Sequence, residues 1–141
     1  MTDMSNSIKP IKTAMLIDDE PVDHMMYRRI VNRSGLVGDV ISFKGADEAL
    51  EYLRTPDCPE IDVIFLDINM PRMNGFEFLE AATEEMGANF TKMIVVMLTT
   101  SLLKADRERA SQYKVVRKYI TKPLTVDHIS HVAGLLGGAA A

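Results

Sequence analysis

The sequence holds a single cysteine, Cys58, set between Pro56 and Pro59. One thiol cannot close an intramolecular disulfide, and it has no partner for a CxxC pair or a zinc site. Long apolar runs are missing too, since none approaches the ~18 residues that a membrane-spanning helix requires. The opening MTDMSNSIKPIK lacks the apolar core of a secretion signal, so the cytoplasm is the expected location. Basic residues are not in excess. The formal net charge of -4 speaks against a nucleic-acid partner, whose phosphates need clustered Lys and Arg. There is no internal repeat, and the only biased block is the closing GGAAA.

What is present is ordinary in composition. With 141 residues, 47% of them hydrophobic and 26% charged, the chain suits one folded domain with one core. Residues 1–11 read as a polar lead-in and 137–141 as a flexible tail. Between them short apolar runs alternate with helical spacing. Strands are expected over 13–17, 39–43, 61–66, 93–98 and 115–120. Helices are expected from Pro21 to Ser34-Gly35, with Met25, Met26, Ile30 and Val31 on the apolar face, and over 46–54, 76–86, 103–112 and 125–136. Phe76, Leu79 and Thr83 define the inner face of the third, and Thr125 is the N-cap of the last. Five strand–helix units in series predict an α/β fold, a parallel sheet with helices on both faces. Strands this apolar are expected to be buried on both sides.

In such a sheet, function gathers at the carboxyl ends of the strands. The first run ends in Asp18-Asp19, the third in Asp67, the fourth in Thr99-Thr100-Ser101 and the fifth in Thr121-Lys122-Pro123. Taken singly, each admits a plainer role: a turn or cap for Asp67, an acidic first helical turn for Asp18-Asp19, a cap for Thr99, a solvated lysine for Lys122. Their coincidence at four strand ends favours a single site. Three close carboxylates repel unless a cation joins them. Oxygen-only ligation suits Mg²⁺ and phosphate chemistry. An aspartate can itself act as the nucleophile and form an aspartyl phosphate, and a lysine and a hydroxyl complement phosphoryl oxygens.

The motifs IDDEP (17–21), FLDINMPRMNGFEFL (65–79), VVMLTTS (95–101) and YITKP (119–123), in this order and spacing, resemble the receiver domain of two-component response regulators. The resemblance spans residues 12–136. It implies the flavodoxin-like strand order 2-1-3-4-5 of a (βα)5 sheet. It implies Asp67 as phosphoacceptor, and Mg²⁺ held by Asp18, Asp19, Asp67 and the Asn69 backbone carbonyl, with Asp19 the more direct ligand of the acidic pair. Thr99 resembles the switch hydroxyl, Tyr119 the switch aromatic, and Lys122 the phosphoryl-binding lysine before a cis peptide bond to Pro123. Asn69 and Ser101 flank the expected path of the attacking water. Leu124 stands where many receivers have Phe, and Thr100 is bulkier than the usual Ala or Gly. The implied partners are a sensor histidine kinase or histidine phosphotransfer protein and a downstream protein, met through the fourth helix, fifth strand and fifth helix.

The family is one of phosphorelay signalling domains that assist their own phosphorylation and dephosphorylation, not one of enzymes acting on a separate substrate. No output segment follows residue 136, so a stand-alone receiver is expected. The alternative is a phosphorylation-independent adaptor with the same fold. Haloacid-dehalogenase-type phosphatases place a second acid two residues after the nucleophile, where this chain has Asn69. No GxGxxG follows the first strand, which argues against dinucleotide binding. His128 and His131 have metal-compatible spacing without further support. His24 is expected to face solvent, and the strand methionines Met15, Met93 and Met97 to fill the core.

Overall fold

The computed structural model describes residues 9–140, with side chains through residue 136. Five parallel strands form one sheet in the order β2-β1-β3-β4-β5. They are β1 (Ile11–Ile17), β2 (Val37–Phe43), β3 (Val63–Leu66), β4 (Ile94–Thr99) and β5 (Val116–Thr121). Helices α1 (Pro21–Ser34), α2 (Ala46–Leu53), α3 (Gly75–Met86), the one-turn α4 (Ala88–Thr91), α5 (Lys104–Ser111) and α6 (Val126–Ala140) connect and flank them. Strand order and fold class therefore match the expectation.

The two-residue period of the strands sorts the core into two layers. Met15, Ile17, Ile64, Leu66, Val95 and Met97 point to the face covered by α2, α3, α4 and α5. Ala14, Leu16, Val63, Phe65, Val96, Leu98 and Ile120 point to the face covered by α1 and α6. Every residue of β3 and β4 is buried. The apolar runs are thus continuous because both faces are covered.

Several boundaries and faces differ from expectation. β1 begins at Ile11, inside the expected lead-in, because Ile11 pairs with Val37 of β2 and donates to the Leu36 carbonyl at 3.1 Å; the Asp62 carboxylate then accepts from the Lys12 and Thr13 amides at 2.8 and 3.1 Å. Residues 1–8 of that lead-in lie outside the described residues. On α1 the buried face is His24, Tyr27 and Val31, while Met25 and Met26 are exposed. The 3–4 spacing of the first set fixes the face, and a step of one or two residues rotates a side chain out of it. On α3 the buried set is Gly75, Phe76, Phe78, Leu79 and Ala82, and Thr83 falls outside it. The short α4 was hidden in an irregular stretch between Gly87 and the next strand, which buries only Phe90. The backbone of α6 stays helical to Ala140, past the expected end at 136, and residue 141 lies outside the described residues.

Candidate functional site

Strand register builds the site. Ile17 pairs with Leu66 and Phe43, Leu66 with Met97, and Thr99 with Thr121. The residues that follow these pairs emerge together at one edge. Asp67 donates its amide to the Ile17 carbonyl at 3.0 Å, and Lys122 donates its amide to the Thr99 carbonyl at 2.8 Å. The ladder therefore runs into the site and holds its backbone.

Asp67 follows the last residue of β3, 7% exposed, and its Oδ1 accepts from the Ile68 amide at 2.8 Å. The chain then turns into α3. Asn74 is the N-cap, and it exchanges hydrogen bonds with Glu77 in both directions at 2.9 Å. This capping box is the local reason the helix starts where it does. Gly75 is needed at its first position: a Cβ there would collide with the Asp67 carbonyl oxygen and lie 3.1 Å from the Ile68 Cα. The helix start is thus drawn against the backbone of Asp67. Arg72 takes a left-handed φ of 70° in this loop and pairs with Asp47 of α2 at 3.0 Å.

One oxygen from each of Asp18, Asp19 and Asp67 lies within 4.8 Å of the others. Hard oxygen donors at this density fit a divalent cation such as Mg²⁺. The two members of the acidic pair differ. Asp18 is 1% exposed; its Oδ1 accepts from the Glu20 amide at 2.9 Å and its Oδ2 from the Tyr27 hydroxyl at 3.1 Å and from Lys122 at 2.9 Å. Among the described residues no hydrogen bond occupies the Asp19 carboxylate, and it stands half-buried at the rim. Asp19 is therefore the freer carboxylate of the pair.

Lys122 reaches the cluster from the loop after β5, and its bond to Pro123 is cis. Its Nζ lies 2.7 Å from Asp23, 2.9 Å from Asp18 and 3.5 Å from Asp67. Burial alone would lower the lysine's pKa, but its bonds to Asp23 and Asp18 and the Asp67 charge outweigh that, so it stays charged. Burial pushes Asp67 up to about 6; the Lys122 charge opposes this rise and the Asp18 charge adds to it. The Tyr27 hydroxyl is pushed upward by burial first and by the Asp18 charge second, so it remains a donor.

Thr99 ends β4 fully buried, and its hydroxyl accepts from the Ser101 amide at 3.1 Å. Tyr119 is half-buried, with its hydroxyl 3.5 Å from the Ser101 carbonyl and the Arg107 guanidinium 4.6 Å from its ring centroid. Asn69 is exposed. Ser101 donates to Asp106 at 2.6 Å and accepts from the Leu103 amide at 3.2 Å, which ties the loop to α5. Leu124 is buried in the layer under α1 and α6, and there it packs with Ile120 and Ile129. The metal-compatible spacing of His128 has a local explanation. Its Nδ1 accepts from the Thr125 amide at 3.0 Å while its amide donates to the Thr125 hydroxyl at 3.2 Å. Thr125 is thus the N-cap, as its sequence position suggests.

Three residues of the site were not anticipated: Asp23, Tyr27 and His24. His24 does not face solvent. It is 9% exposed, its Nε2 lies 2.6 Å from the Asp18 carbonyl oxygen, and its Nδ1 is buried without a partner. A signal for the other two existed. Asp23 and Tyr27 are i,i+4 positions, one stripe of the helix that Pro21 opens just after the acidic pair.

Residues 14–133 match the response regulator receiver domain family. The polar-differentiation response regulator DivK of Brucella ovis is 26% identical over 129 residues, which cover 91% of this chain and 98% of DivK. Sensor histidine kinase CheAY of Helicobacter pylori is 29% identical over 119 residues, 84% of this chain; the chain spans 14% of that kinase's length. The crystal structure of a two component response regulator from Cytophaga hutchinsonii superposes with a TM-score of 0.82 at 26% identity, covering 93% of this chain and 99% of the other. With this match over most of its length and the five-stranded order beneath it, the chain belongs to the response regulator receiver domain family.

Proposed function

We propose that Asp67 is the phosphoacceptor, and that the domain takes a phosphoryl group from a phosphohistidine of a sensor kinase or phosphotransfer protein. An Asp67 carboxylate oxygen attacks phosphorus. The new O–P bond forms as the N–P bond breaks, and the imidazole nitrogen leaves with the electron pair. The single observation that carries this reading is the convergence of the three carboxylates within 4.8 Å beside the Lys122 ammonium. Mg²⁺ held by Asp18, Asp19, Asp67 and the Asn69 carbonyl would offset the charge that gathers on the transferring oxygens.

The carboxylate then becomes a group of roughly -1.5 to -2 charge with three acceptor oxygens. Lys122 and the Thr99 hydroxyl are the donors that meet it. Moving Thr99 releases Ser101, and Tyr119 follows, so the change reaches the surface of α5, β5 and α6. A downstream protein reads that surface. No helix among the described residues is long and apolar enough to cross a membrane, and the cytoplasm is the proposed compartment.

The test is labelling by a small-molecule phosphodonor such as acetyl phosphate. Label is expected on the wild type only with Mg²⁺, and none on Asp67→Asn. Equal labelling of the variant would remove Asp67 from the role. Absence of Mg²⁺-dependent label on the wild type would favour the phosphorylation-independent adaptor.

A further inference from the structure

Lys122 is closest to a carboxylate that lies outside the three-carboxylate cluster. Its Nζ lies 2.7 Å from Asp23, against 3.5 Å from Asp67, a distance too long for a good hydrogen bond. Both partners of the short pair are shielded, with the lysine side chain 11% exposed and that of Asp23 25% exposed. Asp23 is set by the first turn of α1, where Pro21 fixes the entry and the helix N-terminus favours a carboxylate. Among the described residues no other side chain donates to Asp23. Asp18, in contrast, keeps the Tyr27 hydroxyl and the Glu20 amide whatever the lysine does.

We infer that Asp23 is a positioning residue that competes with phosphorylated Asp67 for Lys122 and thereby limits how far phosphorylation shifts the domain. The inference rests on the phosphoacceptor reading above. When the lysine turns to the phosphoryl oxygens, Asp18 loses one of three donors while Asp23 loses its only side-chain donor. A buried or half-buried carboxylate without a partner is costly. Its charge also repels the incoming anion. Both effects hold the lysine on the α1 side, and both vanish if Asp23 loses its charge. A modification shifts an equilibrium only by its differential interaction with the two states, so this lysine contributes less than it would alone.

The test uses the full chain in saturating Mg²⁺, titrated with beryllofluoride as the phosphoryl analogue and followed by amide NMR shifts. Asp23→Asn is expected to bind about tenfold more tightly than the wild type, in keeping with release of one charge-assisted hydrogen bond. Asp23→Glu is expected to return toward wild-type affinity. Unchanged or weaker binding by Asp23→Asn overturns the inference. If the variant does not fold, the wild type still decides: the Asp23 carboxyl carbon resonance must shift as its partner leaves, and a resonance that stays in place overturns it. Loss of wild-type binding, or binding retained by Asp67→Asn, would instead count against the phosphoacceptor reading itself.

Discussion

Replacing Asp67 by Asn in the metal-free protein should raise its stability at neutral pH. The carboxyl titrates at about 6 in the folded chain against an ordinary 3.8, because burial outweighs the Lys122 charge. Between those values the folded state binds more protons than the unfolded state, so stability falls as pH rises through the window. Above it the full difference applies. A shift of about two units corresponds to ~3 kcal/mol of destabilisation carried by the ionised group. Asn keeps the shape and can keep the bond from the Ile68 amide, but its amide nitrogen then faces the Lys122 ammonium at a cost of ~1 kcal/mol. The net gain is therefore about 2 kcal/mol, or roughly 6 °C in melting temperature for a chain of this size. The assay is thermal and urea unfolding in a metal chelator, from pH 4.5 to 8. The gap between variant and wild type should be widest above pH 6 and close as pH falls toward 4. A variant less stable than wild type at pH 7.5, or a gap independent of pH, would refute the reasoning.

Gly75→Ala should destabilise the fold by ~3 kcal/mol or more in urea unfolding and weaken Mg²⁺ binding, since the added methyl meets the Asp67 carbonyl. Asn74→Ala should cost about 1 kcal/mol through loss of the capping box, with beryllofluoride affinity little changed. Asp62→Ala removes the acceptor for two amides at the start of β1 and should cost roughly 1–3 kcal/mol, with faster hydrogen exchange at Lys12 and Thr13. Tyr27→Phe leaves Asp18 with two donors instead of three and should cost about 1 kcal/mol in urea unfolding, with a shift of the Asp18 carboxyl carbon resonance.

The fold was legible because its signals are local and repeated. Five apolar runs, each closed by a turn residue, give the strands, and the covered faces make those runs continuous. Boundaries were less legible. Ile11 joins β1 because it pairs with Val37 and donates to the Leu36 carbonyl, while Asp62 holds the next two amides, long-range facts no window contains. The face of α1 is only half legible for a related reason: Val31 is buried and Ile30 packs on the core, as expected, but the methionines are not part of it. Met25 and Met26 are the more apolar residues, yet His24 and Tyr27 are turned inward by bonds to Asp18. Polar partners at the sheet edge, together with the apolar burial of Tyr27 and Val31, orient that helix.

The same contrast runs through the site. Asp18, Asp19, Asp67, Thr99 and Lys122 could be named from strand ends alone, since a parallel sheet delivers its carboxyl ends to one edge. Asp23 could not, because it belongs to a helix and its role appears only through the lysine it holds. The edge thus gathers Asp18, Asp23 and Asp67 around one ammonium, with Asp19 beside two of them. That charge balance is poor in the metal-free state, and the rigid strands beneath prevent the carboxylates from separating. Relief comes from a cation, from a proton on Asp67, or from redirecting Lys122. The first two act on the cluster as a whole, but the third moves a side chain between α1 and β3. A site built this way couples the charge on Asp67 to the position of a lysine, and the strength of that coupling is set by how firmly Asp23 holds on.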